Sequence, residues 1–314
     1  MCAKQSVGIP KALSYYYFYP LWCAFFTHLG VDVKTSSTTN RRTLESGCSV
    51  VPSEACLPLK CYVGHVLSLI NEVDFIFVPR LVCLEKNPRV KLGCPKLIGL
   101  PDMVKALIPR ANLLSLDVDC RTELEAKTYT RLAHALGYTS AEGKRAYDYA
   151  KEEFKRIVAS EKNPCAANAS KDNIITIGVL GHAYVLHDNY LNMNVWTKLS
   201  DLGCHAIDCH HLSDSDIENG VKKIKPVTWY FEDRLLGAAV TFRDVDAVSG
   251  IVYLVSFGCG AGSITNEIIE LEILQHSSMP FLRIILDEYS GETGLMTRLE
   301  SFVDMVQLKA RVLV

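Results

Sequence analysis

The sequence predicts an α/β protein built as two lobes, and three observations carry that prediction. Short β-branched or aromatic runs alternate with amphipathic helical stretches. The alternation stops in a polar, aperiodic stretch at 161–173 and then restarts. A glycine-bounded segment also recurs: Gly8 leads through an aromatic turn and a helix to Leu29-Gly30, and Gly181 does the same to Leu202-Gly203, each over 22 residues.

Taken in order, runs at 7–9, 31–34, 75–78 and 113–116 read as strands, and the stretches 20–29, 58–72 and 100–108 between them read as helices. Residues 123–160 space Leu124, Leu132, Leu136, Tyr147, Phe154 and Ile157 among charges, which gives two helices broken near Gly137. After the polar stretch come a strand at 174–180, a helix at 188–202, strands at 205–209 and 251–256, a helix at 263–276, a strand at 281–286 and a last helix at 294–308. The expected architecture is two Rossmann-like or flavodoxin-like three-layer lobes. An N-terminal lobe with trailing helices spans 1–160, and a C-terminal lobe spans 174–314. In open α/β sheets the loops at the carboxyl ends of the strands line the ligand crevice. Here those loops are expected to carry Pro79-Arg80, with Cys94 beyond it, and Phe257-Gly258-Cys259-Gly260.

Composition removes several function classes. With 33 basic against 35 acidic residues and no Lys/Arg run longer than two, the chain lacks the footprint of a nucleic-acid binder. The apolar stretch at 15–29 is broken by Pro20 and His28 and falls short of the ~20 residues needed to span a bilayer. The first residues, Met1-Cys2-Ala3-Lys4, show no signal-peptide core. A cytoplasmic protein without membrane segments is expected, and in a reducing cytosol its twelve cysteines are not expected to form disulfides.

No Cys-x-x-Cys occurs, so compact zinc-ribbon and ferredoxin spacings are absent. Gly258-Cys259-Gly260-Ala261-Gly262 sits where a strand ends and a helix begins, and its glycines let backbone N–H groups approach a ligand. Three readings stay open there: a metal or cluster ligand, a catalytic thiol, or a tight turn that holds a cysteine. The nucleophile elbow wants Gly-x-Cys-x-Gly, which this segment does not match. Cys56 and Cys94 each precede a proline that opens a helix, which suits either a buried cap or a ligand. Cys204-His205 through Cys209-His210-His211 has metal-binding composition, but a strand at 205–209 sends positions 204 and 209 to opposite faces. His182, after the first strand of the second lobe, and Asp287-Glu288, after the last, are polar clusters suited to proton relay or to helix capping.

Taken together, Gly8-Ile9-Pro10-Lys11, Glu54-Ala55-Cys56-Leu57-Pro58-Leu59-Lys60, Gly64-His65-Val66, Phe77-Val78-Pro79-Arg80, Cys94-Pro95-Lys96, Gly99-Leu100-Pro101-Asp102, Asn192-Met193-Asn194, Phe257-Gly258-Cys259-Gly260 and Asp287-Glu288 through Glu300 resemble the acyl-CoA dehydratase activase-related proteins. That group is allied to the 2-hydroxyacyl-CoA dehydratase subunits and to double-cubane cluster proteins, and the resemblance runs from about residue 6 to 306. It implies an iron–sulfur cluster between the lobes, [4Fe-4S] or double-cubane, held by Cys56, Cys94 and Cys259. Gly258, Gly260 and Gly262 would offer N–H groups to its sulfides. Glu54, His65, Arg80, His182 and Glu288 are the polar candidates around it. The resemblance further implies a separate ATPase activator of the actin/Hsp70 type, carrying its own iron–sulfur cluster and delivering low-potential electrons for reductive chemistry on a small molecule in an anaerobe, and a homodimer. A non-catalytic electron carrier or cluster carrier is the alternative. One departure stands out: the family follows Gly-Cys-Gly with Pro-Asp, where this chain has Ala261-Gly262.

Overall fold

The computed structural model describes residues 5–163 and 174–312; Met1 to Lys4, Cys2 among them, and Cys165 lie outside the described residues. The chain divides into two compact units, Met1–Ser160 with Thr228–Tyr230, and Glu161–Val227 with Phe231–Val314.

The first unit is a parallel sheet in the order β2 (Asp32–Thr35), β1 (Ser6–Ile9), β3 (Phe75–Glu85), β5 (Leu113–Asp119), with the short β4 (Lys91–Leu92) antiparallel to the far end of β3. Helix α1 (Tyr15–His28) packs Leu21, Trp22, Phe25 and Phe26 into a core with Val7, Ile9 and Phe77, where Trp22 meets Phe77 edge-on at 4.9 Å. Helices α6 (Glu125–Ala135) and α7 (Ser140–Glu161) close that core with Tyr129, Leu132 and Tyr147. Each such side chain removed from water contributes roughly 1.5–3 kcal/mol. Between the strands lie α2 (Arg41–Cys48), α3 (Leu57–Leu69), α4 (Pro95–Ile98) and α5 (Leu100–Leu107). Helix α1 starts five residues earlier than the pattern predicts and contains Pro20, because the aromatic run from Tyr15 to Tyr19 packs as part of the helix.

The second unit is wholly parallel, in the order β7 (His205–Asp208), β6 (Thr176–Gly181), β8 (Gly250–Ser256), β9 (Phe281–Leu286). Every residue of β6 and β8 is buried, the continuous apolar run expected of a covered parallel strand. Its helices are α8 (Ala183–Leu186), α9 (Val195–Asp201), α10 (Asp214–Lys222), α11 (Tyr230–Asp244), α12 (Gly260–His276) and α13 (Glu292–Val312). The helix expected at 188–202 forms only over Val195–Asp201, and a separate turn of helix, α8, precedes it. Asp188 accepts the backbone N–H groups of Tyr190 and Leu191, and the Asn192 amide donates to the Leu186 carbonyl, so local side-chain bonds replace helical ones between α8 and α9.

The two sheets share one strand order, second-first-third-fourth, so the repeat glimpsed in the sequence is a repeat of topology. Its register differs from the glycine match: Gly178, not Gly181, takes the position of Gly8, since Gly8 pairs with Lys34 and Ile76 as Gly178 pairs with Ile207 and Ile251. From the next helix end onward the correspondence is regular. Gly30 (φ 81°) and Gly203 (φ 74°) both end a helix in left-handed backbone. The bonds match too, Val31 N–H to Phe26 and Cys204 N–H to Leu199 closing the same wider turn. Two helix pairs then cross on glycines. A Cβ on Gly47 of α2 would lie 1.8 Å from the Lys60 carbonyl oxygen of α3, and one on Gly64 1.9 Å from that of Thr43. In the second unit a Cβ on Gly220 of α10 would lie 2.1 Å from the Gly237 oxygen of α11, and one on Gly237 2.4 Å from that of Ile217. Both pairs are 17 residues apart, and each member stands 173 residues from its counterpart. The sequence pattern missed α2, α10 and α11.

Candidate functional site

The three cysteines singled out by the resemblance share one local geometry. Cys56 caps α3 with extended backbone (φ −65°, ψ 146°), Cys94 caps α4 (φ −68°, ψ 159°) and Cys259 caps α12 (φ −79°, ψ 103°). In the first two a proline follows at the start of the helix, where its missing N–H costs nothing. Cys56 is buried, whereas Cys94 and Cys259 are half-buried. Gly93 lets the chain turn into Cys94 hard against β3, since a Cβ there would lie 2.1 Å from the Leu81 oxygen.

At Cys259 the glycines have unequal roles. Gly258 adopts left-handed backbone (φ 74°), and the Gly262 N–H donates to the Cys259 Sγ at 3.3 Å. A Cβ on Gly262 would sit 2.9 Å from that sulfur, whereas one on Gly260 would meet nothing within 4 Å. Around the thiol the second unit gathers His182, at the end of β6, and Glu232, in the first turn of α11; the ligating atoms of all three lie within 4.8 Å of one another. His182 Nε2 bonds Glu232 Oε1 at 3.1 Å, and its ring stacks on Tyr184 at 4.7 Å. Both side chains are buried, at 9% and 3% exposure. Burial opposes charge on the imidazole, but the Glu232 carboxylate and the Cys259 sulfur together outweigh it and push the His182 pKa up to about 10. The site therefore holds a buried imidazolium beside a cysteine sulfur. Two buried oxygens here have no hydrogen-bond partner, Glu232 Oε2 and the hydroxyl of Ser256, three residues before the cysteine.

Glu232 was not foreseen, because its helix was not. Thr228 ahead of the paired acids Glu232-Asp233 and the apolar spacing of Phe231, Leu235, Leu236, Ala239 and Val240 are the signals that mark α11.

The other predicted polar residues lie elsewhere. Pro79-Arg80 is not a loop: β3 continues through it to Glu85 because β5 pairs with it along Val78 to Leu81. The Arg80 guanidinium is committed to both Asp102 oxygens (2.8 and 3.1 Å), to Asp117 (3.1 Å) and to the Ile98 carbonyl (2.8 Å). Glu54 is exposed, its carboxyl held below the usual range by its own backbone N–H and by Ser53. Glu288 occupies the turn after β9 and is half-buried.

His65, on α3, is 1% exposed and bonds the Thr39 hydroxyl at 2.9 Å. Burial, aided by the Lys11 charge, pushes its pKa down to about 4. The native state thus keeps His65 neutral while the unfolded chain takes up a proton below about pH 6.5. Stability is expected to fall by about 3 kcal/mol as pH drops from about 6.5 to 4. Urea unfolding across that range checks this, and His65→Gln should flatten the decline; an equal decline in the variant would refute the assignment.

No helix among the described residues is long and apolar enough to cross a membrane. No curated protein matches the chain. Among solved structures, the chain is aligned with the SBP FpvC of P. aeruginosa in complex with Ni2+ (13% identity, 98% of this chain and 98% of that one, TM-score 0.30). It is also aligned with ZnuA (10%, 97% and 99%, TM-score 0.30) and with a LacI family transcriptional regulator from Arthrobacter sp. FB24 (13%, 98% and 91%, TM-score 0.21). These scores are too low to define a shared fold. One family model matches, over residues 6–212, a span that includes Cys56, Cys94 and His182 and ends before Glu232 and Cys259. With well over half of its length matched, the chain belongs to the family described as CoA enzyme activase uncharacterised domain (DUF2229).

Proposed function

We propose that this member of the CoA enzyme activase-related family is an iron–sulfur protein in which Cys56, Cys94 and Cys259 ligate a [4Fe-4S] or double-cubane cluster. It would receive low-potential electrons from a separate ATPase activator and use them in reductive chemistry on a small molecule, as the allied dehydratases do. The observation that carries the reading is the shared stance of the three thiols: each caps a helix in extended backbone.

The donor set fits the group, since thiolates are the ligands iron–sulfur clusters use. Bound there, the cluster would supply one-electron chemistry. The chain's own residues have separate tasks. The Gly262 N–H donates to the Cys259 sulfur, which stabilises negative charge on it. His182, kept cationic by Glu232, does the same from the β6 side. Glu232 also orients the imidazole, and Gly258 aims the cysteine at the head of α12.

One specific arrangement favours a second reading. An imidazole paired with a carboxylate beside a thiol is also the arrangement of a cysteine nucleophile, and the His182-Glu232-Cys259 group has that composition. Iron content separates the two. Purified anaerobically, Cys56→Ser, Cys94→Ser and Cys259→Ser should each lose most of the iron and acid-labile sulfide held by the parent. Undiminished iron in all three would remove the ligand assignment, and thiol-dependent hydrolysis abolished only by Cys259→Ser would favour the nucleophile.

A further inference from the structure

The cluster of histidines after β7 was set aside on the sequence because a strand through Cys209 turns its ligand types to opposite faces. The strand ends sooner. β7 stops at Asp208, and Cys209–His211 forms a single 3-10 turn that brings His211 back toward the Asp208 carboxylate. The third member comes from another element: His187 closes α8 and places its Nε2 2.6 Å from Asp208 Oδ2. The ligating atoms of His187, Asp208 and His211 all lie within 4.8 Å of one another.

From this geometry we infer that His187, Asp208 and His211 form a metal site for a zinc-type divalent cation, separate from Cys56, Cys94 and Cys259. Asp208 is 7% exposed, and its two oxygens have different partners. Oδ1 accepts the His210 backbone N–H at 2.8 Å, which fixes the carboxylate and leaves Oδ2 aimed at His187. The His210 ring bonds the Gly181 carbonyl, 2.8 Å from its Nε2, while ligating atoms of His210 and Cys209 also lie within 4.8 Å of the Asp208 carboxylate. The His187 and His211 rings lie nearly parallel, 27° apart with centroids 6.1 Å apart. Metal–nitrogen and metal–oxygen bonds of about 2.0–2.2 Å join such donors after small side-chain rotations, with one proton released from the His187–Asp208 hydrogen bond. Two imidazoles and one carboxylate suit a borderline ion and leave a coordination position open. His211 is exposed and the His187 side chain is 32% exposed, so a cation in this site is reachable from solvent.

The test is titration of the full-length chain with Zn2+ against a chromogenic chelator, with Co2+ as a spectroscopic probe. One equivalent is expected to bind, with a cobalt spectrum free of thiolate charge transfer. His211→Ala, at an exposed position, should keep the parent's melting temperature and bind Zn2+ about 100-fold more weakly. His187→Gln should weaken binding similarly, and His205→Ala, at an exposed histidine outside the group, should leave it unchanged. A parent chain that binds no Zn2+ would overturn the site. Parent-like affinity in both histidine variants, or a cobalt spectrum dominated by thiolate bands that vanish in a cysteine variant, would overturn it equally.

Discussion

Replacing Gly64 by alanine is expected to lower the unfolding free energy by about 3 kcal/mol, the upper range for overpacking a rigid contact. The added Cβ would meet the Thr43 carbonyl oxygen at 1.9 Å. Backbone on a neighbouring helix cannot rotate away as a flexible side chain can, so α2 and α3 must separate. Gly237→Ala should act alike in the second unit, where the Ile217 oxygen lies 2.4 Å from the new Cβ. Gly260→Ala is the control: its Cβ meets nothing within 4 Å and should change stability little. Denaturant unfolding of the three variants decides the matter, and a Gly64→Ala protein as stable as Gly260→Ala would contradict the crossing.

The second large effect belongs to Glu232. Removing one partner of a buried ion pair leaves the other uncompensated, and Glu232→Gln is expected to cost about 3–5 kcal/mol near neutral pH in the cluster-free chain. The pH dependence gives a signature that a packing defect lacks. His182 is protonated up to about pH 10 in the native state and up to about 6.5 when unfolded. Its contribution is therefore complete below pH 6.5 and is lost as pH rises toward 10. Glu232→Gln should lose most of that alkaline decline, because without the carboxylate the buried imidazole has little reason to hold its proton. A variant less stable than the parent by the same amount at every pH would show that Glu232 acts through packing alone.

The alternation of strands and helices could be read from the sequence because buried parallel strands such as β6 and β8 are continuous apolar runs that stand out from their surroundings. Helices α10 and α11 were harder. The first is short and mostly polar, and the second begins in a segment where Pro226 and Trp229 obscure the period. The glycines at 47, 64, 220 and 237 stood in the sequence at a constant offset, but a glycine inside a helix reads as a defect until a second helix is seen to press on it.

The candidate site shows the same division. The strand–turn–helix around Cys259 is local, and its chemistry was visible in Gly258-Cys259-Gly260. Glu232 is 27 residues upstream and meets His182 only through the packing of α11 near the end of β6, which no local motif encodes. His211 lies beyond the strand whether β7 ends at Asp208 or at Cys209; what no local pattern encodes is the 3-10 turn over Cys209–His211 and the approach of His187 from the end of α8. Arg80 was misplaced for the opposite reason: β3 runs on where a loop was expected, and its guanidinium is taken up by Asp102 and Asp117.

Whether the capping thiols hold an iron–sulfur cluster is read from the iron and acid-labile sulfide content of the wild-type chain made and purified under anaerobic, iron-replete conditions. Iron and sulfide are expected in near-equal amounts, about four of each per chain for a single [4Fe-4S] cluster and about twice that for a double cubane. A folded chain containing neither would contradict the cluster assignment.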